Sequence, residues 1–428
     1  MSTTVTAPPE RLTSAQRNAF WGSFGGWTMD GFNWTIFGLI LAPAMDKLLP
    51  AAGIAPTTAN VGWYGQLSAA MFLVGWGLAF LWGPIADRFG RRPAMMASIL
   101  IYGVFTGLAG LATNLWEWNI FRLVAAIGVG GEWAMAGTLL AEVLPEHRRA
   151  RFGGLMHSAA YWGVLLVSTI YLLFGTALGW RGLLIVGVLP ALIVFVIRRT
   201  TPEPERWQAA ETKASGSFWQ PLREITSGTY RARTIGNLLL LVVCVIGLWA
   251  GSTYVPTAMT NLAVLHKYQA SDKVHLASAA SMVVAAFTIV GCIAVPWLAS
   301  RLGRRRTLQV TFLLMIVGIV GSYGIAYPQH SIPLLFAFLP ILGLGGASFA
   351  IFTIWLPEQY PTRIRATAFA VNTALSRWVA AGGTFLIGYG IHATGSLTIP
   401  LTATGAVFVA GLGLVTLAPE TNGQPLPE

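Results

Sequence analysis

Twelve apolar runs of about 18 to 25 residues follow one another along the chain, near residues 20–44, 62–86, 94–113, 118–143, 152–175, 181–198, 234–258, 276–299, 308–327, 333–356, 365–390 and 397–417. Each is long enough to cross roughly 30 Å of hydrocarbon as a helix, and in lipid only helices and closed barrels satisfy their own backbone groups. The pattern predicts an all-α membrane protein with twelve transmembrane helices, spans 1 to 12. Only 10% of the 428 residues are charged, whereas a soluble surface needs about a quarter. The one long polar break, rich in Pro and charge, separates the runs six and six. It predicts an N-terminal six-helix bundle over 1–198, a linker over 199–233 and a C-terminal six-helix bundle over 234–428.

The net charge of +11 would suggest nucleic acid in a soluble chain. Here Arg88, Arg91, Arg92, Arg148, Arg149, Arg151, Arg301, Arg304, Arg305, Arg306, Arg363 and Arg365 all fall in loops that follow even-numbered spans, with the N-terminus and the linker. The opposite loops hold only Lys47, Arg181, Lys267 and Lys273. By the positive-inside rule the first set is cytoplasmic, with both termini inside, as in a bacterial inner membrane. One chain is expected to suffice for function, and no nucleic-acid partner is expected. The N-terminal residues show no secretory signal. Cys244 and Cys292 stand inside apolar runs without metal-type spacing, so neither a disulfide framework nor a metal site is implied, and no cofactor motif appears.

The two halves repeat each other. Gly83-Pro-Ile-Ala-Asp87-Arg88-Phe-Gly90-Arg91-Arg92 follows span 2, and Pro296-Trp-Leu-Ala-Ser300-Arg301-Leu-Gly303-Arg304-Arg305 follows span 8. Glu142-x-x-Pro145-x-x-x-Arg149 follows span 4, and Glu358-x-x-Pro361-x-x-x-Arg365 follows span 10. These paired runs resemble the signature loops of the major facilitator superfamily, and the resemblance spans essentially the whole chain. It implies two bundles that rock about a substrate path at mid-membrane. Gly83, Asp87, Arg88, Gly90, Arg91, Arg92, Glu142, Arg149, Arg301, Arg304, Glu358 and Arg365 are then the expected cytoplasmic gate, with arginines set against carboxylates and helix ends of the other half. Ser300 stands where the first copy has Asp87, so the two copies are expected to differ in strength.

Few charges remain at membrane depth, where each costs a few kcal/mol unless it faces a partner or water. Asp30 lies about ten residues, roughly 15 Å, into span 1, and Arg122 lies in the opposite end of span 4. A carboxylate opposite an arginine reads as a proton switch or as a permanent ion pair, and the pair resembles that of proton-coupled sugar porters in the superfamily. Glu132, in the cytoplasmic half of span 4, is either a proton relay or structural. Arg377 in span 11 has no acidic neighbour in its own helix, and its planar fork suits a carboxylate; a pairing with Glu132 or Asp30 is the structural alternative. Organic-anion and aromatic-acid porters of the superfamily have an Arg in a similar place.

Gly128-Val-Gly130-Gly131-Glu132-Trp133, Gly179-Trp180-Arg181 and Asp30-Gly31-Phe32 resemble the branch that contains sialate, lactate and aromatic-acid proton symporters, with Asn33 where the aromatic-acid run has a second Asp. Asn33, Trp27, Trp34, Tyr161, Tyr254, Asn372 and Trp378 are expected beside Arg377 in a substrate site suited to an anion with an apolar body. Trp162, Trp249, Phe352 and Trp355 extend the aromatic set, while His157 and His392 read as bystanders near the water interfaces. The expected activity is proton-coupled uptake of a small organic monocarboxylate, not catalysis. Proton-driven efflux of drugs or organic cations, or uncoupled facilitation, is the alternative. No ATP-binding loop is present.

Overall fold

The computed structural model describes residues 12–188, 219–260, 269–394 and 396–427, with 192, 195, 196, 203, 207, 208, 217, 262 and 264 between them. The first half comprises α1 (Ser14–Ala51), α2 (Thr58–Leu78), α3 (Trp82–Phe89), α4 (Arg91–Leu111), α5 (Leu115–Val143) and α6 (Glu146–Val186). After α7 (Gln220–Ile225) come α8 (Gly228–Thr253), α9 (Val255–Thr260), α10 (Ala270–Leu302), α11 (Arg304–Ile319), α12 (Ile332–Gly346), α13 (Ser348–Trp355), α14 (Thr362–Thr394), α15 (Thr398–Ala403) and α16 (Gly405–Val415). A 3₁₀ turn, Ala79–Leu81, joins α2 to α3. Among the described residues nine helical stretches are long and apolar enough to cross a membrane, ten when α1 is counted through its bend. Spans 6 and 11 complete twelve: of the first, expected over 181–198, the described residues show the shorter apolar helix Ala177–Val186 and the rest lies outside the described residues, and the second is the arginine-bearing α14.

The helix ends follow from local chemistry. Thr13 and Gln16 form a capping box on α1, each side chain accepting from the other's backbone N–H, at 3.2 and 3.0 Å. Pro43, which lacks a donor, stands where α1 bends by 64°. Asn114 caps α5 through the N–H of Glu117 at 2.9 Å. At Gly179 the chain turns with φ 58°, and there α6 divides into spans 5 and 6, between the two predicted runs. Part of the expected linker is helical: α7 and the first turn of α8 occupy 220–233, tied by Thr234 Oγ1 donating to the Ile225 carbonyl at 2.9 Å.

Within the first half α1 packs along α6, and α4 and α2 pack along α5. In the second, α12 packs on α10 and α11, and α14 on α8. The halves meet where α6 crosses α10 and where α14 crosses α2 and α3. The α1–α6 contact is backbone against backbone: a Cβ on Gly31 would lie 1.8 Å from the Ala160 carbonyl oxygen, and one on Gly163 would lie 2.0 Å from that of Thr28. A prediction follows. Gly163→Ala should lower stability by about 1–3 kcal/mol through overpacking, whereas Gly413→Ala, which meets nothing within 4 Å, should leave the melting temperature of purified protein unchanged.

Candidate functional site

At the basic end, Arg91 opens α4 directly after Gly90, whose φ of 103° a side-chain-bearing residue rarely adopts. Its guanidinium grips Glu142 of α5 through Nε and Nη2, at 3.2 and 3.0 Å, and Asp87 of α3 at 3.1 Å. These three groups belong to one half. The links to the other half come from the carboxylates and from Arg91 itself. Glu142 also holds Arg365 Nη1 at 3.1 Å, Asp87 accepts from the N–H and hydroxyl of Thr367 at 2.9 and 2.6 Å, and Arg91 Nη2 donates to the Thr362 carbonyl at 3.0 Å. Gly83 lets α3 lie on α14: a Cβ there would come within 2.5 Å of the Thr367 Cα.

The second copy of the motif is built alike and used differently. Arg304 grips Glu358 at 3.1 and 2.6 Å after Gly303, with φ of 85°. Ser300 donates only to its own Trp297 carbonyl at 2.9 Å, so Asp87's grip on the opposite half has no counterpart here. Two acidic caps complete the symmetry. Glu203 accepts from the N–H groups of Arg91 and Arg92, and Glu420 from those of Arg304 and Arg305. Burial holds the Glu203 carboxyl above its usual range. Burial also pushes Glu420 up, but its backbone hydrogen bonds outweigh that and hold it below. Two expected gate residues stand apart from these contacts: Arg88 is exposed over the Phe89 ring and Arg301 over Trp297. Arg149 is buried on α6.

Deeper in, a box of rings joins the two halves. Trp27 stacks on Trp133 at 5.6 Å and Trp34 on Trp76 at 6.0 Å, with Tyr161 edge-on to Trp34. The Arg377 guanidinium lies over Trp76, Trp133 and Phe349, at 4.9, 5.4 and 5.8 Å from the ring centres. Arg377 is 4% exposed; Nη1 donates to the Thr373 carbonyl at 2.5 Å and to Ser376 Oγ, and Nε has no hydrogen-bond partner. Among the described residues no carboxylate comes within ion-pair distance of it. Asp30 is fully buried on α1, on the face that carries Trp27 and Trp34 three residues before and four after it.

Several expected site residues sit elsewhere. The direct contact between Asp30 and Arg122 is not made: Arg122 is fully buried between the Phe37 and Phe72 rings, each 4.6 Å away, and its three nitrogens have no hydrogen-bond partner. Asn33 accepts from Thr106 of α4 at 2.8 Å and donates to the Met29 carbonyl, so its amide is used inside the first half. Trp378 is 41% exposed and donates to the Val74 carbonyl, because the next residue on a helix points about 100° away. Asn372 is buried and donates to Ala368, Tyr254 is half-buried at the turn after α8, and Glu132 accepts from Ser98 of α4 at 3.4 Å. Trp162 is 47% exposed, Phe352 and Trp355 are buried, and the side chains of Trp249 and His392 lie outside the described residues.

His157 is no interface bystander. It is 3% exposed, its Nδ1 lies 3.1 Å from Thr353 Oγ1 in the other half, and Trp133 Nε1 donates to the same hydroxyl at 2.9 Å. Trp76 and Trp133 also escape the sequence reading, although a Trp in mid-span, away from the headgroup level, is a usable signal. The glycines of α5 admit these neighbours: a Cβ on Gly130 would meet Trp76 at 2.2 Å.

Two half-bundles clamped at one end over a buried charged box are the architecture of a membrane transporter, and the comparisons agree. The Major Facilitator Superfamily profile matches residues 24–384, and the chain belongs to that family. The sialic acid transporter NanX of Escherichia coli is 26% identical over 415 residues, 96% of this chain and 92% of its own. The 4-hydroxybenzoate transporter PcaK of Pseudomonas putida is 26% identical over 436 residues, 90% of each chain. A structure of the proton:xylose symporter XylE shares the fold, with a TM-score of 0.79 at 19% identity over 97% of this chain and 98% of that one.

The clamp generates a prediction. Glu142→Gln removes the charge shared by two buried arginines, and stranding buried charge costs roughly 3–5 kcal/mol. The closed basic end should therefore lose population. Spin labels at the exposed positions 88 and 301, in protein whose two native cysteines are replaced by serine, should report a longer mean separation in Glu142→Gln than in the otherwise wild-type protein.

Proposed function

We propose that this transporter takes up a small organic monocarboxylate together with a proton by alternating access. The observation that carries the reading is Arg377: a buried guanidinium at the seam of the two halves, surrounded by rings, with its Nε unbonded and no carboxylate within ion-pair reach among the described residues. A carboxylate fits that fork through two parallel hydrogen bonds, and the rings suit an apolar or aromatic body. A cation would meet repulsion there, which disfavours efflux of organic cations. Two relatives named for transport of acids, sialic acid and 4-hydroxybenzoate, support the same substrate class.

Asp30, buried on the box-facing side of α1, is the acceptor for the coupling proton. Arg122, held between Phe72 and Phe37, the latter about two turns beyond Asp30 on α1, supplies the positive field that keeps Asp30 ionised before it is loaded, and Glu132 offers a further proton site toward the basic end. Following the positive-inside rule, the clamped end faces the cytoplasm of a bacterial inner membrane, both termini lie there, and one chain suffices for transport. In this arrangement the cytoplasmic gate is shut, and loading of the box is coupled to its release.

Two variants test the reading. Arg377→Lys keeps the charge and loses the fork, so affinity for carboxylates should fall clearly; in Arg377→Ala it should nearly vanish, with little change in melting temperature. Unchanged affinity in Arg377→Ala would remove the substrate role, and a large loss of stability regardless of substrate would make the residue structural. Asp30→Asn imitates the protonated acid. It should abolish gradient-driven accumulation in proteoliposomes while leaving exchange of labelled for unlabelled substrate, and full accumulation would place the coupling proton elsewhere.

A further inference from the structure

His157 and Arg377 share two rings. The His157 ring centre is 5.2 Å from that of Trp133 and 6.3 Å, stacked, from that of Phe349; the Arg377 guanidinium lies over the same two rings at 5.4 and 5.8 Å. One residue comes from the first half and the other from the second. Between them stands a hydrogen-bond chain that crosses the seam, Trp133 Nε1 to Thr353 Oγ1 to His157 Nδ1, at 2.9 and 3.1 Å. With Thr353 accepting from Trp133, its hydroxyl proton is available to Nδ1, which suits a neutral imidazole with its own proton on Nε2.

We propose that His157 is the site that holds the co-transported proton while the carboxylate is bound. The inference deepens the reading above and rests on it. With the box empty, a second cation beside Arg377 in dry, ring-lined surroundings is unfavourable, and His157 stays neutral. A carboxylate on the Arg377 fork adds one negative charge, and a proton arriving by way of Asp30 and taken up on Nδ1 adds one positive, so the box carries the same net charge empty and loaded. Proton and substrate affinities then rise together, as linkage requires. Protonation also reverses one bond: Nδ1–H donates to Thr353, where before it accepted. That bond joins the halves, so loading is registered at the seam.

The other titratable and charged groups around the imidazole fit this assignment. Arg377 comes from α14, Asp30 from the box-facing side of α1, and Tyr161 from α6 itself with its ring centre 6.4 Å away. Cys244 of α8 lies by Ser348 and Arg377, and Cys292 of α10 by Tyr161. Glu132 of α5 engages Ser98 of α4. Among these, the imidazole alone has an ordinary range that straddles neutrality.

The test is proton-linked binding by the purified full chain, using benzoate, 4-hydroxybenzoate, lactate and N-acetylneuraminate as probes. For a probe that binds, affinity should fall about tenfold per pH unit on the alkaline side, and saturation in weakly buffered solution should draw one proton per chain from the medium. His157→Gln should bind with a pH-independent affinity and draw no proton. A slope unchanged in His157→Gln, or no proton drawn by wild type, overturns the His157 assignment alone. Failure of wild type to bind any of the four overturns the carboxylate reading and this proposal with it.

Discussion

A charge removed from water must be surrounded by something that answers it, and that requirement shapes both the basic end and the middle of this molecule. At the basic end the answer is other charge: Glu142 stands between Arg91 and Arg365, so one carboxylate ties α4 of the first half to α14 of the second. In the middle the answer is aromatic. Arg377 is met by ring faces, backbone and a hydroxyl, which stabilise a cation less fully than a carboxylate does. The first arrangement is a closed contact between opposite charges, and the second leaves Arg377 Nε without a hydrogen-bond partner. A structure in which Arg377 found its own internal carboxylate would hold the halves together without a ligand.

The internal repeat explains why closure is one-sided. Both copies use a left-handed glycine, an arginine opening a helix, a carboxylate at the end of the next span but one and an acidic cap: Gly90, Arg91, Glu142 and Glu203 in one, Gly303, Arg304, Glu358 and Glu420 in the other. A single difference matters most. Asp87 reaches Thr367 across the seam, whereas Ser300, lacking a charge and shorter, turns back to its own helix. The contacts of the first copy thus reach the opposite half, whereas Arg304 and Glu358 pair within their own.

The fold was legible in the sequence because a bilayer demands long apolar runs, and the charged contacts at the basic end were legible because Arg91, Glu142, Arg304, Glu358 and Arg365 sit in short loops whose spacing repeats. The box was only half legible. Sequence offers the chemistry of a residue but not the direction in which it points: Asn33 and Trp378 carry suitable groups and lie on the wrong faces, while Trp76 and Trp133 lie on the right ones. His157 was misplaced because α6 begins at Glu146, before the apolar run, so that about three turns of helix carry the imidazole into the centre. The Asp30–Arg122 pairing failed for a related reason. Depth along two spans says nothing of the rings of Phe37 and Phe72 that flank the guanidinium.

Under the proposed function a carboxylate and one proton cross together, so that their charges cancel. The most direct test is accumulation of labelled monocarboxylates in proteoliposomes under a pH gradient at zero potential, and under a membrane potential at equal pH. The account predicts accumulation that follows the pH gradient, with a driving force of about 1.4 kcal/mol per unit, and no response to potential. Accumulation driven by potential at equal pH would contradict it.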